Sequence, residues 1–375
     1  MLRLLTIGHS YVIAGNRRLA HEMALQGGGT WEVTAVAPVE LAADLRHVTL
    51  EPIADEACTV EPLALRLARM PHLRRYESRL RSVLQGRWDV VHVWEEPYVA
   101  ACAQVAAAAP PRAKVVPATF QNLVKRYPFP FNRFETCVMS RADGWIPFGH
   151  TVCDAQRSKP LYAAKPSRTI PPGVDVRRFR RDAGAGRRVR AECGWDDSVP
   201  VVGYLGRFVS EKGLRTLQRA LESAREPWRA LFVGGGPLHA ELSAFADAHR
   251  GRVHVATDVT HDAVPAYLSA MDLLCAPSET TAQWREQFGR MLVEAMACGV
   301  AVVASTSGEI PHVVGPAGLI LPERDVVAWT RALDELLGAP ERRRTLAAAG
   351  LTRAHECYAL PAVARAHLRF FEELL

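Results

Sequence analysis

Four charged side chains have the types and spacing to handle a diphosphate and sugar hydroxyls. Glu286 and Glu294 are separated by seven residues in TAQWREQFGRMLVEAMACGVAVVASTSGEIPHVVG, residues 281–315. Arg207 and Lys212 lie five positions apart in VPVVGYLGRFVSEKGLRTLQRAL, residues 199–221. A carboxylate accepts hydrogen bonds from hydroxyls. Arg offers a bidentate fork and Lys a point charge, so two cations on one loop can grip a diphosphate from both sides. Solvated glutamates on an amphipathic helix, or two exposed cations, would show the same spacings, so the surrounding elements must decide.

Those elements read clearly. Met291, Leu292, Ala295, Met296 and Ala297 are good helix formers, and Gly299 suits the left-handed residue after a helix end. Val300 to Ser305 is a short apolar, β-branched run, typical of a strand buried on both faces. The order is loop, helix, turn, strand. Glu286 then stands at the mouth of the helix N-terminus, where free N–H groups and partial positive charge suit an anion. Glu294 follows two turns on, near the same lip. Upstream, Val201 to Leu205 is a strand, Gly206-Arg207 turns out of it, and Lys212-Gly213 precedes a helix carrying Leu214, Leu217 and Leu221. Ala230 to Val233 is a further strand, followed by Gly234-Gly235-Gly236, which permits close ligand approach or a tight turn. RVHVATDV ends another strand, expected near a nucleobase, and YLSAMDLLCAPS is helix then strand.

Taken together, the E-x7-E pair, EAMACG, VVAS and the G-E-I-P turn resemble the donor-site signature of retaining glycosyltransferases of family 4. TIPPGVDVRRF (Thr169–Phe179) resembles the loop ending the first domain of that family. The resemblance implies a GT-B fold: two Rossmann-like, doubly wound parallel-sheet domains facing a cleft, with a C-terminal helix crossing back to the first. The implied division is 1–175 for the acceptor, 176–357 for the nucleotide sugar, and 358–375 returning to the first domain. It also implies transfer from a UDP- or GDP-sugar with retention, no obligatory metal and no cofactor beyond the nucleotide-diphosphate sugar as co-substrate. Arg207, Lys212 and Glu286 carry over as catalytic. Gly15, Gly206, Gly235, Phe288, Gly289, Arg290 and Glu294 carry over as donor-binding, with Glu294 on the ribose hydroxyls.

The first half supplies the acceptor side. LLTIG (Leu4–Gly8) is a strand, the loop His9 to Asn16 follows, and Arg17 to Leu25 reads as a helix before the strand TWEVTAVAP. This opens a β-α-β unit with a loop at the carboxyl end of its first strand. It is not G-x-G-x-x-G, which argues against a dinucleotide. The loop resembles the first acceptor-side loop of family 4, with Gly15 letting backbone near the donor phosphate and His9 facing the acceptor. A His closing a strand end is the structural alternative. WDVVHVWEEPY (Trp88–Tyr98) is a buried strand, and its terminal Glu95 is a better acceptor candidate than His92. Lys114 to Thr119 is a strand, and Gln121 and Asn122 leave its end. Many family-4 enzymes have a His near there; this chain has none. Gln121 or Asn122 can bond a sugar hydroxyl, but neither is a general base at neutral pH.

At 375 residues the chain suits two domains. Hydrophobic residues at 49% and charged ones at 23% are those of a globular protein. The eight cysteines form no C-x-x-C pair, which argues against zinc, and no D-x-D metal signal is present. Met1-Leu2-Arg3 leads into a strand rather than an export signal, and no apolar run approaches the ~20 residues that span a bilayer. The expectation is a cytoplasmic protein with reduced core thiols. Residues 1–175 hold 21 Lys and Arg against 16 Asp and Glu, so this half suits anionic partners. Residues 63–84 carry Arg66, Arg69, Arg74, Arg75, Arg79 and Arg81 against one acid, Glu77, and after Pro71 the apolar Leu73, Tyr76, Leu80, Val83 and Leu84 fall at the spacing of a basic amphipathic helix. Such a helix either docks on the inner membrane face or packs on its own sheet. The expected partners are a nucleotide sugar and a sugar, lipid-linked or small-molecule acceptor, without nucleic acid, since no binding motif accompanies the charge. The alternatives are a GT-B epimerase or phosphorylase, or a nucleotide-sugar-binding protein without turnover.

Overall fold

The computed structural model describes residues 1–42 and 47–375. The chain divides into two units, Met1–Gly173 with Leu360–Leu375, and Val174–Ala359. The divisions fall two residues from those read in the sequence, at 173/174 and 359/360.

Unit 1 is built on six parallel strands: β1 (Leu2–Ile7), β2 (Trp31–Pro38), β3 (Thr59–Leu63), β4 (Val90–Val93), β5 (Lys114–Thr119) and β6 (Ile146–Pro147). Their order across the sheet is β6-β5-β4-β1-β2-β3, and Leu4 of β1 registers with Val33 on one side and Val90 on the other. Near-continuous apolar runs such as VVHV suit strands covered on both faces. One covering layer pairs the helix Ala14–Gly27 with the terminal helix Leu360–Leu374, where Leu19, Ala20 and Met23 share a core with Val363, Ala364 and Phe371. Trp31 Nε1 donates to Glu372 Oε1 at 3.0 Å, fixing the end of that helix.

Unit 2 repeats the plan with β7 (Val201–Arg207), β8 (Arg229–Gly235), β9 (Val253–Ala256), β10 (Leu273–Ala276), β11 (Ala301–Ser305) and β12 (Leu319–Leu321), in the order β9-β8-β7-β10-β11-β12. In both sheets the order reverses beside the first strand. The crevices at such switch points, outside the strand carboxyl ends, are where doubly wound sheets bind ligands. They lie between β1 and β4 in unit 1 and between β7 and β10 in unit 2.

Three local expectations are corrected. Residues 72–84, after Pro71, are not one helix. Leu65–Arg66 pairs antiparallel with Arg75–Tyr76, and only Arg79–Leu84 is helical. Gln104 takes both backbone groups of Tyr76, at 2.9 and 2.8 Å, so a distant side chain fixes the strand against the local spacing. The basic, Gly-containing stretch 177–190, whose composition reads as a linker in the sequence, contains the helix Ala183–Glu192. Asp182 caps it by accepting from Ala185 N at 2.8 Å, and a Cβ on Gly186 would fall 2.4 Å from Ser269 O. That glycine serves close packing, not flexibility. Nor are all the thiols in the core: Cys137 and Cys357 are exposed.

Candidate functional site

Two loops meet at the unit 2 switch point. The first leaves β7, passes Arg207 and ends at Lys212-Gly213. The second leaves β10 through Pro277 and Ser278 and reaches Glu286. Gly213 adopts φ +67°, and a Cβ there would lie 1.9 Å from Pro277 O. Only glycine lets the loops close this far. The approach brings Lys212 Nζ to 2.5 Å from Glu286 Oε2, and Ser278 Oγ donates to the same oxygen at 3.0 Å. Both charged side chains are almost out of water, 12% and 9% exposed, so their attraction must offset two desolvation costs. The Lys212 ammonium also stands 4.9 Å from the Trp284 ring centre. The Glu286 backbone is held in turn: its carbonyl accepts from Glu309 N at 3.0 Å, and its N–H donates to Ser307 Oγ at 3.4 Å.

Arg207 ends β7 with its side chain exposed and unpaired among the described residues, while its carbonyl accepts from Tyr204 Oη at 2.7 Å. The Tyr204 phenol is pushed up chiefly by burial and also feels Glu286 and Arg207, so both charges act around it. Phe288 turns its ring into the core, 5.8 Å from Tyr358. Gly289 is left-handed and precedes the helix Arg290–Ala297, which starts without a side-chain cap. The first-turn N–H groups there form a partial positive charge beside Glu286. Arg290 is exposed. Gly206 precedes Arg207 in β7, Gly235 ends the neighbouring β8, and nothing lies within 4 Å of where a Gly235 Cβ would be.

Glu294 meets a different partner. Its carboxylate is 8% exposed, with Oε1 3.8 Å from His261 Nε2. Arg178 donates to His261 Nδ1, so the ring proton sits on Nε2 and faces Glu294.

In unit 1 the loops after β1 and β4 meet in the same way. His9 N donates to Glu95 Oε1 at 2.7 Å, and His9 Nδ1 lies 2.5 Å from Oε2. Tyr76 Oη donates to Oε1 at 3.2 Å. Burial raises the Glu95 carboxyl, but His9 and Arg74 outweigh it and hold it below its ordinary range. An ionised Glu95 holds a proton on His9 Nδ1 and turns Nε2 away from it, on a ring one-third exposed. The neighbouring Glu96 accepts from Thr119 Oγ1 at 2.6 Å and Phe120 N at 2.7 Å, and burial raises its carboxyl to about 7. Gln121 spends its side-chain oxygen on Leu123 N at 3.1 Å, and Asn122 is buried. Gly15 lies inside the first helix rather than in the loop before it, because the helix starts at Ala14; nothing lies within 4 Å of a Cβ there. His92 is fully buried against Thr6 Oγ1 at 2.9 Å, which makes it a core residue.

The structure thus joins Lys212 to Glu286 and His9 to Glu95, and leaves Glu294 with a different partner. Sequence reading missed Ser278, Trp284, Ser307, His261 and Glu96. Ser278 and Glu96 could have been flagged, since each closely follows the end of a buried strand. Among the described residues no group of His, Cys, Asp and Glu could hold a metal ion, and no helix is long and apolar enough to cross a membrane.

Residues 199–339, which contain all six strands of the second sheet with both loops of its switch point, match the family described as Glycosyl transferases group 1. The chain carries a glycosyl transferases group 1 domain. Over 190 residues the chain is 37% identical to the GDP-mannose-dependent alpha-(1-6)-phosphatidylinositol monomannoside mannosyltransferase of Mycolicibacterium smegmatis, covering 48% of this chain and 50% of that one. Over 222 residues it is 35% identical to the D-inositol 3-phosphate glycosyltransferase of Segniliparus rotundus, covering 55% and 47%. The chain spans about half the length of these curated relatives. Two solved structures share the fold across the whole chain. Anabaena HepE in complex with UDP has a TM-score of 0.72 at 19% identity, covering 100% of both chains. A glycosyltransferase from Rickettsia africae has a TM-score of 0.75 at 14% identity, covering 100% of this chain and 98% of that one. The group 1 domain therefore sits in a GT-B fold.

Proposed function

We propose that this chain transfers a sugar from a nucleotide-diphosphate sugar to a hydroxyl acceptor, with unit 2 taking the donor and unit 1 the acceptor. The observation that carries the reading is the Lys212–Glu286 pair at the unit 2 switch point, beside an uncapped helix start. Lys212 and Arg207 bind the diphosphate and stabilise the charge it gains as it leaves. The first-turn N–H groups after Gly289 add to that field. Glu286 accepts from the sugar hydroxyls, and Glu294 from the ribose. These protein cations do what a metal would, so no metal is required.

The acceptor oxygen bonds to the anomeric carbon on the face from which the diphosphate departs with its bonding electrons, so configuration is retained. His9 Nε2 takes the acceptor's proton and passes it to water. The names of the relatives favour GDP-mannose as donor and a phosphatidylinositol mannoside as acceptor.

The test is incubation with radiolabelled GDP-mannose or UDP-glucose and a phosphatidylinositol mannoside acceptor. A labelled glycolipid with the donor's anomeric configuration, formed equally well in EDTA, is expected. Free labelled sugar 1-phosphate or an epimerised donor would instead mean phosphorolysis or epimerisation. Tight donor binding with no product from any acceptor would leave a binding protein.

A further inference from the structure

We propose that residues 66–75 and 120–134 of unit 1 form a docking surface for an anionic lipid bilayer. The proposal rests on unit 1 being the acceptor side, and it names the surface that would bring that side to a membrane. The two segments are neighbours. The His72 ring stands 5.7 Å from Phe131 and 5.6 Å from Tyr98, and Tyr98 stacks on Tyr127 at 4.1 Å. Arg74 Nε donates to Pro71 O at 2.9 Å and braces the first segment from inside.

What the segments present outward is unusual for a solvated face. Leu67, Met70, Val124 and Phe129 are 48%, 53%, 64% and 79% exposed. After Met1, Phe129 is the most exposed large apolar residue among those described. Around these tips lie Arg66, Arg69, Arg75, Lys125, Arg126 and Arg133, all exposed and none in an ion pair among the described residues. Neither segment contains an Asp or Glu. Apolar tips ringed by unpaired cations match the interface of an anionic membrane, where side chains enter the headgroup layer and the cations meet lipid phosphates. A polyanion such as RNA would use the cations, but it offers nothing to Leu67, Met70 or Val124. The amphipathic helix expected from the sequence is absent, so loop tips rather than a helix face carry the contact.

The experiment is sedimentation of the full chain with phosphatidylcholine vesicles, with and without phosphatidylglycerol. Binding that requires phosphatidylglycerol and weakens with salt is expected. At ~1 kcal/mol per cation near an anionic surface, the R69A/K125A/R126A variant should bind on the order of a hundredfold more weakly. The V124S/F129S variant should lose at least about tenfold, from the ~0.8 kcal/mol carried by each buried methylene. All five positions are exposed, so each variant should keep the parent's melting temperature. As a second readout, the tryptophan of Phe129→Trp should be quenched by brominated lipid in phosphatidylglycerol vesicles only. Equal binding to both vesicle types, no quenching, or tighter binding to RNA that V124S/F129S leaves unchanged would each overturn the proposal. Vesicle binding is measured without donor or turnover, so its failure leaves the sugar-transfer reading standing, and loss of transfer leaves the surface standing.

Discussion

Lys212 Nζ and Glu286 Oε2 stand 2.5 Å apart although 74 positions separate them in the chain. The ammonium that should meet the donor diphosphate is therefore already satisfied by a carboxylate. A bound diphosphate has to share or replace that partner. Glu286→Gln removes the competing charge and the like-charge repulsion beside the phosphates. It should tighten GDP or UDP by at least about tenfold, since like charges ~4 Å apart repel by up to about 4 kcal/mol at an effective dielectric near 20. Transfer should slow by about 10²-fold, because the sugar loses its charged acceptor. Calorimetry and initial rates on the same preparation check the split. Weaker nucleotide binding by the variant would count against Lys212 as the phosphate ligand.

Removing the cation instead leaves Glu286 buried and under-compensated. Lys212→Met should cut transfer by about 10²–10³-fold. It should also cost about 3 kcal/mol of stability, as breaking one side of a buried pair does. Adding Glu286→Gln to Lys212→Met should return most of that stability but none of the activity. Urea unfolding of the two single variants and the double variant measures the coupling.

His9 and Glu95 make the matching prediction for unit 1. With Glu95 holding the Nδ1 proton, Nε2 can accept; without it the tautomer is free. Glu95→Gln and His9→Ala should each lower kcat by about 10²–10⁴-fold while leaving the donor KM unchanged. The double variant should be no worse than either single one. A purely structural role for the pair would lower the melting temperature and raise the donor KM together with the loss of kcat.

How much of this was legible beforehand follows from where each signal lies. The apolar runs around Val201–Leu205 and Val300–Ser305 announce buried strands, and both strands form. Glu286 and Lys212 were legible as types and spacings, but not as partners. Their contact depends on Gly213 pressing against Pro277 O, a relation between two loops. Tyr76 misled for the same reason: its apolar spacing suits a helix, but Gln104, 28 positions away, takes its backbone groups. Glu294 illustrates the opposite limit. Its neighbour His261 comes from the loop after β9, which no local pattern connects to it.

Gly213 and Gly308 set the geometry of the donor loops. At Gly308, φ is +55° and a Cβ would fall 2.0 Å from Glu286 O, so any side chain must push the Glu286 backbone away. Gly308→Ala should lower stability by about 1–3 kcal/mol through the left-handed strain and the clash together. It should raise the donor KM more than Gly235→Ala, because a Cβ at Gly235 meets nothing within 4 Å. Equal KM values for the two variants would remove the geometric argument for Glu286.

The terminal helix carries a pH dependence whose sign can be worked out. His367 is completely buried, with Nδ1 donating to Val363 O at 2.9 Å, and its ring lies 5.4 Å from that of His92. Burial pulls His367 from 6.5 to about 4 and pulls His92 down as well. The folded chain therefore resists protons that the unfolded chain accepts. The stability involved is fully present above pH 6.5 and is lost as pH falls, by about 3 kcal/mol at pH 4 for His367, at 1.36 kcal/mol per unit. His367→Phe keeps a ring against Trp94 and Phe371 but has nothing to protonate. Urea unfolding at pH 7 and pH 4.5 should show the parent losing more stability than His367→Phe over that interval. Equal losses would mean that the ring is hydrated at the base of the helix Leu360–Leu374.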